Sequence, residues 1–327
     1  MTEHAPLAPE AERAEPESDE PPSEPGRPTA RQLAIAGGLL LATCASTTFV
    51  GVLESGWSLT AGLAYSVPLM AILISHELGH YVAARLHRVP ASLPYFVPLP
   101  LPPLGTMGAV ILMRGRIRSR NALLDIGASG PLAGLAVAIP VLIYGIATSP
   151  VQPLPIGTGY NAEGHSILYV LLLHALKGPI PEGHDIMLQP TAFAGWVGLL
   201  VTMINLIPAR QLDGGHVAYA LIGERFHALS RALRRALLPL GLGVGLYYGL
   251  PALLSGKRGG ALFEAFAPGT QWLLWWGLLK LIGGAGGREH PPTDAGTLSP
   301  ARRVVAVATL LCFVLLFMPA WLRHVTP

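Results

Sequence analysis

The fold of this chain turns on one stretch: Leu69-Met70-Ala71-Ile72-Leu73-Ile74-Ser75-His76-Glu77-Leu78-Gly79-His80-Tyr81-Val82-Ala83-Ala84-Arg85. Two histidines spaced i, i+4 lie on one face of a helix. Their imidazoles can grip a single zinc ion, while the intervening Glu77 is left free to act as a base. The residues around them are apolar. Ionisable groups are costly inside a membrane and mark function by default there. A satisfied interfacial histidine pair near a helix end is the plainer alternative. The apolar flanks on both sides weigh against it.

Outward from this helix, the chain is membrane-like. Charged residues make up 13% of its 327 residues, against roughly a quarter in soluble domains. Long uncharged stretches at 32–53, 55–75, 126–149, 186–209, 236–256 and 304–322 each approach the ~20 residues needed to cross the hydrocarbon core. The segment 270–284, with Trp272, Trp275 and Trp276, is a short span or an interfacial element. Residues 89–113 are apolar but carry Pro90, Pro94, Pro98, Pro100, Pro102, Pro103, Gly105 and Gly108. Those prolines forbid a continuous helix. Irregular backbone at membrane depth must line a cavity or be buried in protein. The expected fold is therefore an all-α polytopic membrane protein with six or seven transmembrane helices, and a re-entrant loop or β-hairpin turning near 102–105 between the second and third spans. The loop 149–189 holds an apolar patch at 166–176, too short to span.

Three regions follow. Residues 1–30 carry eight acidic residues, two Arg and seven Pro, the composition of a disordered tail. They have neither the basic n-region of a secretory signal nor the acid-poor composition of a transit peptide. Residues 31–222 form the expected core. Residues 223–327 form a C-terminal membrane region with two or three apolar segments. The tail is −6, so the remaining chain is +9 within a total of +3. That excess flanks apolar segments, which fits basic cytoplasmic loops and not a nucleic-acid binder. Six Arg fall in 85–120 and five in 210–235, whereas 149–189 holds one Lys and no Arg. The N-terminus and the histidine end of the second span are thus expected on the cytoplasmic side, with the long loop outside. Cys44 and Cys312 sit inside apolar spans, so neither a disulfide nor a CxxC site is expected.

A catalytic zinc takes three protein ligands and keeps one open position. Asp213, which follows the apolar run 196–208 and precedes Gly214 and Gly215, is the best third ligand. The glycines would let the backbone turn sharply and approach the metal. The plain alternative is an Asp capping a glycine turn. A zinc held by two His and a carboxylate lowers the pKa of water to about 7, and Glu77 would pass its proton to the leaving amine. Asn205 could hold a substrate backbone or an oxyanion, or simply bond another helix. His216 is read first as structural and second as a support to the metal site. Asp125 is read as favouring a helix N-terminus.

With these residues in place, His76-Glu77-Leu78-Gly79-His80, Asn205-Leu206-Ile207-Pro208 and Gln211-Leu212-Asp213-Gly214-Gly215-His216 together resemble the site-2 protease family of intramembrane metalloproteases. Pro94-Tyr95-Phe96-Val97-Pro98, Gly105-Thr106-Met107-Gly108-Ala109 and the run 125–134 are similar to its bacterial and plastid branch. The resemblance covers about residues 60–222. It implies one zinc per chain held by His76, His80 and Asp213, with Glu77 as catalytic base and Asn205 at the substrate or oxyanion. It also implies a hairpin edge that receives the unwound substrate. The implied partners are the lipid bilayer and a single-span membrane protein such as a tethered regulator, and the implied location is a bacterial inner membrane. The 149–189 loop is too short for the PDZ domain found in many members, and the C-terminal third is membrane-like where other members carry a pair of CBS modules. A non-proteolytic zinc-binding sensor is the first competing reading, but zinc binding alone does not need Glu77. A transporter is the second, and no internal repeat supports it.

Overall fold

The computed structural model describes residues 28–113, 117, 119–155, 157, 159–282, 290, 293–294 and 296–325. Most of the acidic tail, and Arg114, Arg116 and Arg118 of the basic segment, lie outside them.

Nine helices and six short strands are described. The helices are α1 (Ala30–Glu54), α2 (Leu59–Leu86), α3 (Arg120–Thr148), α4 (Ile167–Lys177), α5 (Pro190–Asn205), α6 (Asp213–Ile222), α7 (Phe226–Leu254), α8 (Gly259–Ile282) and α9 (Pro300–Leu316). The strands are β1 (Tyr95–Pro98), β2 (Thr106–Val110), β3 (Val151–Pro153), β4 (Tyr160–Glu163), β5 (His184–Ile186) and β6 (Leu322–Val325). Local capping explains several helix starts. Thr29, Ser58, Ser119, Ser166 and Ser299 each accept a backbone N–H from the first turn that follows them, satisfying donors that a helix start leaves unpaired.

Four helical stretches among the described residues are long and apolar enough to cross a membrane: Ala30–Glu54, Leu59–Leu86, Arg120–Thr148 and Asp213–Leu254. That is fewer than the six or seven expected from sequence. The difference has local causes. The uncharged stretch 186–209 is helical only over Pro190–Asn205, so α5 has 16 residues and a length of about 24 Å, short of the ~30 Å core. α9 has 17 residues. Of the 270–284 segment, residues 270–282 belong to a longer helix, α8; 283 and 284 lie outside the described residues.

At the centre, α2, α3 and α5 pack on one another. Leu69, Leu142, Ile146, Val197, Leu199 and Met203 are fully buried there. Small residues permit the close approach, as is usual where lipid removes the hydrophobic drive between helices. A side chain at Gly145 would run into the backbone of Ala192, and one at Gly195 into Leu142. α7 and α8 pack on each other as an antiparallel pair, and their Leu237, Val244, Trp272 and Leu279 join the same apolar core.

The proline-rich segment between α2 and α3 folds as the antiparallel hairpin β1–β2, pairing Tyr95 with Val110, Phe96 with Ala109 and Pro98 with Thr106. Its turn is fastened to the helices. Ser46 Oγ donates to the Gly105 carbonyl at 2.6 Å, and Tyr65 Oη donates to the Leu104 carbonyl at 2.9 Å. Gly105 has φ +77°, and a Cβ there would come within 2.7 Å of Thr47 Cα. Glycine is therefore required both by conformation and by space.

Two further sheets correct the all-α expectation. β3 pairs with β5 inside the 149–189 loop, and β4 pairs with β6 from the C-terminal end. These strands are three or four residues long and too short to register as alternation in a sequence.

Candidate metal centre

α2 carries His76 and His80 one turn apart, and both are buried, as is Glu77 between them. Asp213 arrives from a different direction. α5 ends at Asn205, the chain turns through residues 206–212, and α6 begins at Asp213. An acidic residue in the first turn suits the helix macrodipole. The turn is held by its own backbone: Ala209 N–H donates to Ile207 at 2.7 Å, and His216 N–H donates to Leu212 at 2.9 Å.

Three atoms converge. His76 Nε2 and His80 Nε2 each lie 3.2 Å from Asp213 Oδ2, and the two Nε2 atoms are 3.1 Å apart. Zinc bound tetrahedrally at about 2.0–2.1 Å places its ligand atoms roughly 3.3–3.4 Å from one another. The donor set and its spacing therefore fit one zinc ion. His80 Nδ1 faces the Ile126 carbonyl at 2.7 Å. A carbonyl only accepts, so Nδ1 carries the proton and Nε2 presents its lone pair, the usual way a ligand histidine is oriented.

Expectation and structure differ over the two glycines after Asp213. Gly214 and Gly215 are helical residues of α6. A side chain at Gly214 would strike the Leu206 carbonyl, and one at Gly215 the Arg210 carbonyl. The glycines make room for the preceding turn, which seats α6, and not for backbone approach to a metal. Asn205 is half-buried at the end of α5. Among the described residues no hydrogen bond joins its amide to His76, Glu77, His80 or Asp213.

Several features of the site escaped the sequence reading. α3 forms a floor under the histidines. A Cβ at Gly130 would overlap the His80 ring, and one at Gly134 would lie 3.3 Å from His76 Cβ and Nδ1. A Cβ at Gly127 would come within 2.8 Å of His216 Cβ. The signal was present as glycines at 127, 130 and 134 on one face of an apolar helix, but such spacing is common in membrane helices for plain packing. His290 was also missed. It is buried, its Nε2 is 2.7 Å from His216 Nδ1, and its ring stacks on Tyr219 at 4.3 Å. No local pattern marked it. A cavity of about 340 Å³ lies elsewhere, lined by Glu54, Tyr65, Glu163, Asp185 and Phe193 among others. Tyr65 precedes His76 by eleven residues of α2, about 16 Å of helix, and the cavity does not reach the histidines.

Two buried histidines and a half-buried aspartate that could hold a metal ion, with an adjacent glutamate, on a helix long and apolar enough to cross a membrane, are the arrangement of a membrane metallopeptidase type of centre. Comparison with known proteins makes the assignment specific. Residues 64–247 match Peptidase family M50, and the chain belongs to that family. It is 33% identical over 169 residues to a rice (Oryza sativa subsp. indica) protein named probable zinc metalloprotease EGY2, chloroplastic, covering 51% of this chain and 31% of the relative. It is 28% identical over 263 residues to the Arabidopsis thaliana probable zinc metalloprotease EGY1, chloroplastic, covering 79% and 43%. With the Arabidopsis probable zinc metallopeptidase EGY3, chloroplastic, it shares 27% over 306 residues, covering 85% and 48%. The chain thus spans about a third to a half of the length of these curated relatives. The site-2 protease resemblance read from the motifs agrees with this family and with the plastid side of its named relatives.

Proposed function

We propose that this chain is an intramembrane zinc endopeptidase that hydrolyses peptide bonds in or near transmembrane segments of membrane proteins. The observation that carries this reading is the mutual 3.1–3.2 Å approach of His76, His80 and Asp213, with Glu77 buried beside them on α2. In this reading those three residues would hold one zinc ion, whose chemistry there would be to polarise a carbonyl and acidify water. Glu77 takes the proton from the attacking water and delivers it to the leaving nitrogen. Asn205, next to the turn that seats α6, holds the substrate backbone or the developing oxyanion.

A transmembrane substrate helix hides its amides in its own hydrogen bonds and must open first. Among the described residues β2 pairs only with β1, so the hairpin has an open edge onto which an unwound segment can add as a strand. Met107 and Val110 on β2 are exposed, which supports an apolar partner there. The hairpin then acts as a re-entrant element in a bundle of six or seven spans, with α8 and, across a locally thinned bilayer, the shorter α5 and α9 completing the count. Residues 31–222 serve as the peptidase core and 223–327 as an accessory membrane region. In this reading the N-terminus and the centre face the cytoplasm of a bacterial inner membrane, an orientation supported by the arginine-rich 85–120 and 210–235 segments. Cleavage there releases a cytosolic fragment, as regulated intramembrane proteolysis of a tethered regulator requires.

The test is reconstitution of the full chain with a fluorescent transmembrane peptide. Glu77→Gln is expected to lose on the order of 10²–10⁴-fold in cleavage rate while keeping its zinc. Equal cleavage by both proteins would remove the proposed mechanism. Asp213→Ala is expected to lose zinc, and unchanged zinc content would remove Asp213 as a ligand.

A further inference from the structure

Asp125, in the second turn of α3, is gripped from two sides. Arg302 Nε lies 2.9 and 3.1 Å from its two carboxylate oxygens, and Arg302 Nη2 donates to Oδ2 at 2.7 Å. His87 Nε2, at the residue that ends α2, donates to the same Oδ2 at 2.7 Å. One carboxylate therefore ties the end of α2, the start of α3 and the start of α9 together. Arg302 sits in the first turn of α9, where the helix macrodipole disfavours a cation. Its placement is explained by Asp125 and not by its own helix. The planar guanidinium fork fixes direction as well as distance.

The neighbouring residue gives this clamp its consequence. Ile126 supplies the carbonyl that sets the proton on His80 Nδ1. A helix advances about 100° per residue, so a small rotation of α3 would swing that carbonyl away from the ring. We propose that Asp125, clamped by Arg302 and His87, is a positioning residue that holds the Ile126 carbonyl against His80, making the first turn of α9 a working part of the metal centre. The inference rests on the peptidase reading in taking His80 as a metal ligand. It also extends the centre past residue 247, where the family match ends. The clamp side chains are 27–37% exposed. Ion pairs so placed contribute little to global stability, so their loss should leave a folded protein in which α3 has freedom to turn.

Zinc affinity of the full chain in detergent, measured by competition with a chelator, reads the effect apart from catalysis. Arg302→Gln is expected to weaken zinc binding by about tenfold, the low end of the range for losing an outer partner of a ligand histidine, because Arg302 reaches His80 only through Asp125 and Ile126. The rate constant kcat should fall in parallel while KM stays within about twofold. Arg302→Lys, which keeps the charge but not the fork, should fall between the two. Arg302→Gln with zinc affinity and kcat both at wild-type level overturns the inference. If Arg302→Gln does not fold, Arg302→Lys decides: a several-fold loss of zinc affinity supports the clamp, and wild-type affinity overturns it. A wild-type chain that takes up no zinc removes the metal-centre reading as well, whereas a failure confined to the Arg302 variants removes this inference alone.

Discussion

Two helix pairs in this molecule are lined with glycine at similar spacing, and they use it differently. On α3, the spaces left by Gly130 and Gly134 are filled by the His80 and His76 rings of α2. On α7, the space at Gly249 is filled by the Phe266 ring, and that at Gly241 by the Gly269 carbonyl and Leu273 of α8. The first pair trades side-chain volume for a functional group held in one orientation. The second trades it for close helix packing, the ordinary use of small residues in membranes. The same missing methyl makes room for the imidazoles of the proposed metal centre in one place and for close helix packing in the other.

Substitutions to alanine separate the two roles. Gly130→Ala should have the largest effect, because its Cβ meets the His80 ring head-on. We expect zinc affinity to fall by about 100-fold, the upper range for disturbing the surroundings of a ligand. Chelator competition measures it, and wild-type affinity would dissolve the contrast between the pairs. Gly249→Ala overpacks against Phe266 and should cost about 1–3 kcal/mol of stability. Its thermal midpoint should fall while zinc affinity stays unchanged, and a loss of zinc would show that the two pairs are not independent. Gly134→Ala is milder. The nearest His76 atoms would be 3.3 Å away, so a shift of a few tenths of an ångström suffices and zinc affinity should drop by less than about tenfold. Gly243→Ala meets nothing within 4 Å and should be neutral or stabilising by up to ~1 kcal/mol, with zinc binding untouched.

What could be read in advance followed the reach of each interaction along the chain. His76 and His80 are four residues apart on one helix, so their shared face is fixed by helical geometry alone. The hairpin at β1–β2 was expected because prolines locally exclude helix over 89–113. The β4–β6 pair was not expected, since its strands are separated by about half the chain and carry no alternation of their own. Asp125 shows the limit most clearly. As a sequence feature it was an acid near a helix start, and only Arg302, 177 residues away, reveals it as a junction of three helices.

By itself, then, the sequence determined the membrane character of this protein, the metal-binding face of α2 and the break between α2 and α3. Each follows from hydropathy, helical period or backbone stereochemistry within a few residues. The sequence offered Asp213 as a third ligand beside the plain alternative of a capping Asp, and the tertiary structure settled that it closes on the histidines across 133 residues; the tertiary structure alone decided that the Ile126 carbonyl sets the tautomer of His80 across 46 and that the glycines of α3 make room for imidazoles. Those outcomes depend on how helices settle against one another, and contact at 3 Å between distant segments leaves no periodic trace in either one.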